Sequence, residues 1–275
     1  MVTYIACGKV NYQIVGMSSV EYPDLPSFEQ TDRITLNAKI LRDMIRQTVY
    51  AVSENTAKPI YTGSLYEIED GVFKIIAIDG YRMAIRSENV DSESKNRFVV
   101  PGKTQHEVLK LLTDDEENTE IIIGQRHITF KIKNYRIISR LIEGTFIEYK
   151  SAIPKETKTE VVINTRTIID AVERMSLLNN DRIQSPVRCI FSDDEIKLSC
   201  TSAVGRANDV ISVPIIGESV EIGFNNRYLL DALKNADTDE IKLILNGSLT
   251  AMIVKPVKGD SYLSIVVPMR LANES

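Results

Sequence analysis

The chain has 275 residues, a length that suggests two domains of roughly 100–150 residues each. Hydrophobic residues make up 43% and charged residues 26%, as in ordinary globular proteins, and no apolar stretch is long enough to span a membrane. The net charge of −5, taken globally, argues against nucleic acid as a partner, although the distribution of charge matters more than its sum.

The N-terminal residues lack a charged segment followed by an apolar core, so we identify no signal peptide and expect a cytoplasmic protein. The three cysteines, Cys7, Cys189 and Cys200, have no CxxC spacing. Because domains of this size fold without disulfides, we interpret the cysteines as reduced thiols. We also expect no metal or other cofactor.

Residues 1–28 are expected to form strands and a turn. Hydrophobic and polar residues alternate around Tyr4 and Tyr12, and residues 22–26 (YPDLP) are typical of a loop. The segment cannot bury a core alone. We therefore interpret it as the last hairpin of a domain that is otherwise missing from an engineered or naturally shortened chain.

The first full unit is expected at residues 29–153. A short strand at 34–36 leads to Asn37, a plausible N-cap for a helix that runs to about residue 53. A hairpin follows with a turn at residues 69–71 (EDG). The other expected elements are strands at 61–69, 73–79, 82–88, 97–100, 120–123, 127–132 and 136–143, and a helix at 103–112.

The second unit is expected at residues 154–275 and repeats the same order. Asn164 and Asn225 each begin a predicted helix, the first running to about residue 178. A hairpin turns at residues 192–194 (SDD). The expected strands lie at 160–163, 187–191, 195–201, near 207–213 and 219–223, and at 241–245, 250–254 and 263–267.

The two units open on similar strings, ITLN at residues 34–37 and VVIN at 161–164. A repeat of this length is a duplicated domain rather than a solenoid module. The fold class is therefore predicted as α+β, with repeated domains in which two helices pack on antiparallel β-sheets. Duplicated domains set at fixed angles build arcs and rings, which favours a scaffold over a catalytic cleft.

The predicted helices together carry a net positive charge within an acidic chain. For any single helix, a solvated face is the simpler interpretation. The alternative is a basic surface that touches phosphates without reading bases, and the absence of tryptophan argues against base stacking. The candidate DNA-facing residues are Lys39, Arg42, Arg46, Lys103, Lys110, Arg166, Arg174, Arg227 and Lys234.

No nucleophile elbow, phosphate-binding loop, dinucleotide fingerprint or zinc-protease motif occurs in the sequence. Acidic clusters at residues 114–117 and at Asp193 and Asp194 are most simply solvated turns. Two alternatives to a scaffold for DNA stay open. One is an enzyme whose metal is held by Asp193, Asp194 and Glu195, and the other is a structural oligomer or peptide-binding module with no role on DNA.

Four strings resemble the bacterial sliding clamp, the beta subunit of DNA polymerase III. They are AIDGYRMA at residues 77–84, RLIEGTFIEY at 140–149, EIGFNNRYLLD at 221–231 and VPMRL at 267–271. The strings occur in the order that the family has, and the similarity covers essentially the whole chain. The family fold has three domains per subunit, so this chain would hold the second and third domains and the last hairpin of the first.

The resemblance implies a head-to-tail homodimeric ring around duplex DNA, with the helices inward and no enzymatic activity. Its implied partners are the DNA polymerase III catalytic subunit, the clamp loader, other proteins with clamp-binding motifs, and duplex DNA without sequence specificity; no membrane is involved. Leu177 and Leu178 match an apolar patch at the ring interface. Without a full first domain the usual ring cannot close, which leaves both a monomer and another assembly open.

The resemblance also implies a groove for peptides of the Gln-Leu-x-Leu-Phe type between the last two domains. Four of its residues depart from the family pattern, namely Tyr81, Met83, Ile147 and Ser151, and the tail at 272–275 could partly cover the site. The groove residues carried over are Tyr61, Ile78, Gly80, Tyr81, Arg82, Met83, Ile147, Ser151, Ala152, Tyr228, Ala251, Ile265, Val266, Val267, Pro268, Met269, Arg270 and Leu271.

Overall fold

The computed structural model of the chain describes residues 1–22, 30–113, 117–178 and 185–271. Most of the loop expected at 22–26, three residues of the acidic cluster (114–116) and the tail at 272–275 lie outside the described residues. None of the helices in the described part of the chain is long and apolar enough to cross a membrane.

The chain begins with a hairpin of two antiparallel strands, β1 (Val2–Cys7) and β2 (Val10–Val15). Gly8 has a φ of +59°, which suits the tight turn between them. Every residue of both strands is exposed, including Tyr4 and Tyr12. The hairpin is thus held by its own backbone pairing, without a buried face.

In the first unit, Asn37 caps α1 as its side chain accepts hydrogen bonds from the backbone N–H groups of Lys39 and Ile40. Asp70 and Gly71 form the expected tight turn, both with positive φ. The elements are β3 (Gln30–Asn37), α1 (Ala38–Val49), β4 (Gly63–Glu69), β5 (Val72–Ile78), β6 (Arg82–Asn89), β7 (Asn96–Pro101), α2 (Gly102–Leu111), β8 (Asn118–Gly124), β9 (His127–Ile132) and β10 (Tyr135–Arg140).

The last strand of the first unit is shorter than the expected 136–143. It ends at Arg140 because the next two backbone N–H groups bond elsewhere. Leu141 donates to the carbonyl of Arg126 at 2.9 Å, and Ile142 donates to the carbonyl of Val99 at 2.9 Å. The chain therefore leaves one sheet of the unit and touches the other.

In the second unit, the side chains of Asn164 and Asn225 cap α3 and α4, as expected. The short strand β15 was not expected; it pairs with β11 at the outer edge of its sheet. The elements are β11 (Thr159–Asn164), α3 (Thr165–Ser176), β12 (Val187–Ser192), β13 (Glu195–Ser202), β14 (Gly205–Ser212), β15 (Ile215–Gly217), β16 (Val220–Phe224), α4 (Asn226–Lys234), β17 (Glu240–Leu245), β18 (Met252–Pro256) and β19 (Tyr262–Val266).

One nine-stranded sheet runs through both units in the order β15-β11-β17-β18-β19-β6-β5-β4-β7. The units join where β19 pairs antiparallel with β6, with Ile265 opposite Met83 and Ser264 opposite Ala84. Each unit adds a four-stranded sheet, β10-β9-β8-β3 in the first and β14-β13-β12-β16 in the second. Antiparallel sheets with helices packed on them confirm the α+β prediction.

Each unit has its own core beneath its helices. Leu41 and Phe73 are fully buried in the first core, and Val172 and Phe224 are fully buried in the second. Ile40 of α1 is exposed, because the face turned to the core is formed around Leu41, Met44 and Ile45. Each of these two apolar clusters is formed within one unit, and a third cluster, which includes Ile76 and Ile265, spans both units.

A hydroxyl cluster lies where the units meet. The Tyr50 hydroxyl lies 3.0 Å from that of Tyr262 and 2.8 Å from that of Ser264, so α1 of the first unit bonds to β19 of the second. Burial raises the pKa of Tyr50 to about 12, which keeps the phenol protonated and able to donate. These bonds fix α1 across the strand junction.

Candidate functional site

The loop between β5 and β6 is shaped by Asp79 and Gly80. Asp79 Oδ1 accepts hydrogen bonds from the backbone N–H groups of Tyr81 at 2.8 Å and Arg82 at 3.0 Å. Gly80 has a φ of +94°, in the left-handed region that favours glycine. The turn directs Tyr81 to solvent and Arg82 inward, as their exposed fractions of 60% and 6% show.

The Arg82 guanidinium ties the loop to the second unit. Its Nε donates to Asp79 Oδ2 at 2.9 Å, and its Nη1 pairs with the carboxylate of Asp231 on α4. Its Cζ lies 4.5 Å from the centre of the Tyr228 ring and 5.5 Å from that of Tyr50. Two carboxylates and two aromatic rings thus hold a buried cation at the seam.

Tyr81 and Tyr228 form an aromatic pair across the units. Their ring centres lie 5.9 Å apart with an interplanar angle of 20°, a stacked arrangement. The pKa of Tyr228 is raised, first by burial and then by the nearby Asp79 carboxylate. The pair forms one wall of a cavity between the units.

This seam cavity has a volume of about 640 Å³. It brings together seven of the expected groove residues: Tyr61, Ile78, Gly80, Tyr81, Arg82, Ile147 and Tyr228. Sequence reasoning missed the rest of its wall, which is the segment after α1 (Val52, Ser53, Glu54, Asn55 and Lys58) together with Asp79 and Arg227.

A second cavity, of about 700 Å³, lies within the last unit and is called here the terminal cavity. It is lined by five expected residues, Val267, Pro268, Met269, Arg270 and Leu271, and by Glu221, Ile222, Gly223, Ser248 and Leu249, which were not expected. A hydrogen bond links the two cavities: the backbone N–H of Val267, which lines the terminal cavity, donates to the carbonyl of Tyr81, which lines the seam cavity, at 2.8 Å.

Gly223 sets the position of the terminal segment. Its carbonyl accepts a hydrogen bond from the Met269 N–H at 2.8 Å. A Cβ at this position would lie 2.6 Å from Leu271 Cδ2 and 3.0 Å from the Met269 carbonyl oxygen. The close approach of the segment therefore requires glycine here, a signal that the string IGFN contained but that pointed only to a helix start.

Six of the expected groove residues line neither cavity. Met83, Ile265 and Val266 are buried at the junction of β6 and β19. Ala251 packs against the cluster around Ile253. Ser151 and Ala152 lie exposed in a short 3-10 helix, Tyr149–Ala152.

Most of the candidate DNA-facing cations are paired with carboxylates. Arg46 lies 2.5 Å from Asp237 and Lys234 lies 2.6 Å from Glu173, and the latter pair lowers the pKa of Glu173. The other pairs are Lys110 with Glu107, Arg166 with Asp170, Arg174 with Asp209, and Arg227 with Glu54. Arg42 is half-buried, and within the described residues only Lys39 and Lys103 of this set are exposed without a hydrogen bond or ion pair from their side chains.

The alternative metal site is not formed. Asp193 and Asp194 have positive φ in a tight turn, and Asp194 Oδ1 accepts a hydrogen bond from the Ile215 N–H at 3.0 Å. Among the residues that the structure describes, no three His, Cys, Asp or Glu side chains converge as a metal site. The acidic turn instead ties the β12–β13 hairpin to β15 through the Asp194 hydrogen bond.

The two leucines expected at a ring interface differ in their surroundings. Leu177 is 83% exposed, whereas Leu178 is half-buried against the second core. Cys189 and Cys200 are buried and Cys7 is exposed, all as free thiols.

Two family models match the chain. The DNA polymerase III beta subunit, central domain, matches residues 35–148, and the DNA polymerase III beta subunit, C-terminal domain, matches residues 150–270. The boundary between the matches falls in the connector that precedes β11.

Curated relatives agree with these matches. The beta sliding clamp of Bacillus subtilis (strain 168) is 32% identical over 273 residues, which cover 98% of this chain and 72% of the relative. The beta sliding clamp of Halalkalibacterium halodurans is 33% identical over 276 residues, which cover 98% of this chain and 73% of the relative.

Solved structures show the same likeness. The DNA polymerase sliding clamp from Bacillus subtilis superposes with a TM-score of 0.94 at 31% identity, over 98% of this chain and 73% of that one. A putative DNA polymerase III beta subunit from Eubacterium rectale superposes with a TM-score of 0.92 at 29% identity, with the same coverage.

Proposed function

This chain belongs to the DNA polymerase III beta-subunit family, the bacterial sliding clamps, and from that premise we propose how its surfaces serve replication. Its function is that of a DNA sliding clamp, a non-catalytic processivity factor. A clamp works by holding, so it needs a surface for duplex DNA and a surface for the proteins that it tethers.

The partner surface that we propose is the groove formed by the seam cavity and the terminal cavity. Its aromatic wall is Tyr81 stacked on Tyr228, and its opposite end is the terminal segment 267–271. The aromatic rings of the seam cavity and the apolar side chains of the terminal segment suit the leucine and phenylalanine anchors of an extended peptide, and the polar residues after α1 suit its polar groups. The observation that carries this proposal is the hydrogen bond between Val267 and Tyr81, which links the terminal cavity to the seam cavity.

The proposed occupants are short clamp-binding segments of the Gln-Leu-x-Leu-Phe type, presented by the polymerase III catalytic subunit, the clamp loader and repair proteins. Arg82 holds the Tyr228 ring from beneath, so the aromatic wall is in place before a peptide arrives. Such preorganisation lowers the entropy lost on binding.

For duplex DNA we propose few, non-specific and salt-sensitive contacts through the helices. Carboxylates offset most helix cations, and exposed Lys39 and Lys103 stand at the starts of α1 and α2. Weak phosphate contacts without base readout suit a protein that moves along its DNA.

The domain limits 29–153 and 154–275, with residues 1–28 as a hairpin of a further domain, remain our proposal. We also propose that exposed Leu177 belongs to a contact surface with a second copy of the chain. Light scattering with and without duplex DNA tests that contact, and a monomer under both conditions at high concentration would contradict it.

A fluorescence titration with a labelled Gln-Leu-Ser-Leu-Phe peptide tests the groove. The peptide should saturate one site per chain, and the double variant Met269→Ala, Leu271→Ala should weaken binding by roughly 1–3 kcal/mol through lost anchor contacts. Val210→Ala removes a comparably apolar side chain that is 53% exposed on β14, and it should leave the affinity unchanged. Absence of binding to the intact chain would overturn the groove assignment.

A further inference from the structure

The first unit contains a counterpart of the terminal cavity. In the last unit, the Met269 N–H bonds to the carbonyl of Gly223 on β16; in the first, the Ile142 N–H bonds to the carbonyl of Val99 on β7. Both strands run directly into a helix, α4 after β16 and α2 after β7. The same backbone contact is thus made twice by the duplicated fold.

A cavity of about 410 Å³ opens beside the bridge in the first unit, and we call it the β7 cavity. The turn between β8 and β9 closes one side of it, as the β17–β18 loop closes the terminal cavity. Its apolar lining includes Leu65, Phe98, Val99, Leu141, Ile142 and Phe146, and its polar lining includes Arg97, Gln125, Arg126, Glu143 and Thr145.

Charge distinguishes the β7 cavity from the terminal cavity. Arg97 stands two residues before the bridge, where the last unit has Glu221, and Arg126 lies in the adjacent turn. Glu221 accepts a hydrogen bond from Arg188 at 2.7 Å, so the acidic position of the last unit is already occupied. The two cavities share a framework, but Arg97 and Arg126 outnumber Glu143 in the β7 cavity, whereas the terminal cavity has one residue of each charge, Glu221 and Arg270.

Neither guanidinium of the β7 cavity has a close carboxylate partner. Arg97 lies 3.9 Å from Glu67 and 4.0 Å from Glu148, and Arg126 lies 3.6 Å from Glu143 with both side chains more than 70% exposed. Within the described residues, neither side chain donates a hydrogen bond, whereas Glu67 is engaged by the Tyr149 hydroxyl at 3.0 Å. Such exposed, long ion pairs contribute little and can be exchanged for a ligand carboxylate.

The strand beside the cavity favours a peptide as the ligand. β7 is the last strand of the nine-stranded sheet, and Val99 directs its carbonyl outward to Ile142. By the alternation of a strand, the backbone of Arg97 faces the same open edge. An extended segment can therefore use main-chain hydrogen bonds as well as side-chain contacts.

We propose that the β7 cavity is a second docking site, which binds an extended peptide segment with an acidic side chain next to an apolar or aromatic one. Arg97 and Arg126 bind the carboxylate while Phe98, Ile142 and Phe146 contact the apolar side chain. This site goes beyond the proposed groove and does not require that the groove bind its peptide.

The test uses ¹⁵N-labelled full chain and two probes, Ac-Asp-Leu-Phe-Glu-amide and its neutral form Ac-Asn-Leu-Phe-Gln-amide. The acidic probe should shift the amide signals of Arg97, Gln125 and Ile142 more than the neutral probe does, whereas the signals of Met269 and Leu271 should respond alike to both probes. The double variant Arg97→Gln, Arg126→Gln should bind about tenfold or more weakly, as expected from lost charge-assisted hydrogen bonds. The matched variant Arg206→Gln, Lys258→Gln loses the same charge at exposed positions and should bind like the unchanged chain.

Three results would overturn the proposal: equal binding of the two probes, shifts confined to residues 267–271, or equal affinity in the two double variants. Thermal unfolding of each variant shows whether the substitutions leave the fold intact; if the Gln pair does not fold, Arg97→Lys with Arg126→Lys replaces it and should keep weaker, still charge-dependent binding. Because the neutral Gln-Leu-Ser-Leu-Phe peptide reports on residues 267–271 in the same sample, failure at the β7 cavity is distinguishable from failure of the groove.

Discussion

The guanidinium of Arg82 pairs with the carboxylate of Asp231, which lies 149 positions further along the chain and in the other unit. The Arg82 side chain is 6% exposed and that of Asp231 is 32% exposed, so the pair is largely shielded from water. It lies directly beneath the Tyr228 ring that forms the groove wall. One contact therefore contributes both to the union of the two units and to the shape of the site.

Replacing Arg82 with methionine should lower the free energy of unfolding by about 2–4 kcal/mol, because Asp79 and Asp231 are left without their cation. Urea unfolding of Arg82→Met, Asp231→Asn and the double variant measures the coupling between the two residues. The effects should be far from additive. Additive losses would show that the pair contributes nothing of its own.

Replacing Tyr81 with alanine should weaken binding of the Gln-Leu-Ser-Leu-Phe peptide by about 1 kcal/mol or more, since the stacked partner of Tyr228 is removed. Tyr135→Ala provides the control, because Tyr135 is 59% exposed on β10, close to the 60% of Tyr81, and lies outside the groove. Titration by fluorescence anisotropy compares them. Equal affinities for the two variants would count against the aromatic wall.

Gly223→Ala should displace the terminal segment, because the new Cβ would lie 2.6 Å from Leu271. We expect a loss of roughly 1–3 kcal/mol in stability from overpacking, together with weaker peptide binding. Gly16→Ala is the matched control, since the nearest atom to its Cβ would be 3.9 Å away. If Gly223→Ala changed neither the melting temperature nor the affinity for the peptide, this account would be wrong.

Removing the carboxylates that pair with helix cations should strengthen duplex binding. In Glu173→Gln with Asp237→Asn, Lys234 and Arg46 become available to phosphates. The slope of log affinity against log salt should steepen by about 1–2 units. Glu156→Gln with Asp260→Asn changes the net charge equally without releasing a helix cation, and a similar gain there would mean that net charge alone is responsible.

Stability should fall as the solution becomes alkaline, and Cys189 should contribute to the fall. Burial raises the pKa of its thiol from 9.0 to about 12, so the folded chain keeps a proton that the unfolded chain releases. The contribution is complete below pH 9 and is lost as pH rises from 9 towards 12. Melting temperatures measured from pH 8 to 10 should decline less in Cys189→Ala than in the unchanged chain, and the tyrosines, which both chains share, do not affect this difference.

Local signals in the sequence predicted most of the fold. Asn37, Asn164 and Asn225 stand before apolar periodic runs and do cap helices, and the turn at residues 69–71 joins a hairpin as its composition indicates. These features depend on neighbours within a few residues. β15 was missed because three residues pairing at a sheet edge leave no periodic pattern.

The residues proposed for the site could be named from the family strings, but their arrangement could not. The family strings indicated the loop at 79–82 and the terminal segment, yet not that they line two cavities linked by a hydrogen bond. Pairs such as Arg46 with Asp237 join residues far apart in sequence. The sequence therefore could not show that carboxylates would neutralise most of the helix cations. Burial of Ile265 and Val266 likewise follows from the β6–β19 junction, which no local pattern reveals.

The pairing of β19 with β6 has a mechanical consequence. Because the two strands share a ladder of backbone bonds, hinge motion between the units would require those bonds to rupture together. The proposed groove lies across this ladder, because Tyr81 comes just before β6 and Val267 just after β19. We therefore expect its width to be set by the spacing of the two strands rather than by a flexible joint. A peptide that binds the proposed groove should therefore meet an opening of constant width. Its residence time should depend on its own anchor side chains and not on an opening motion of the protein.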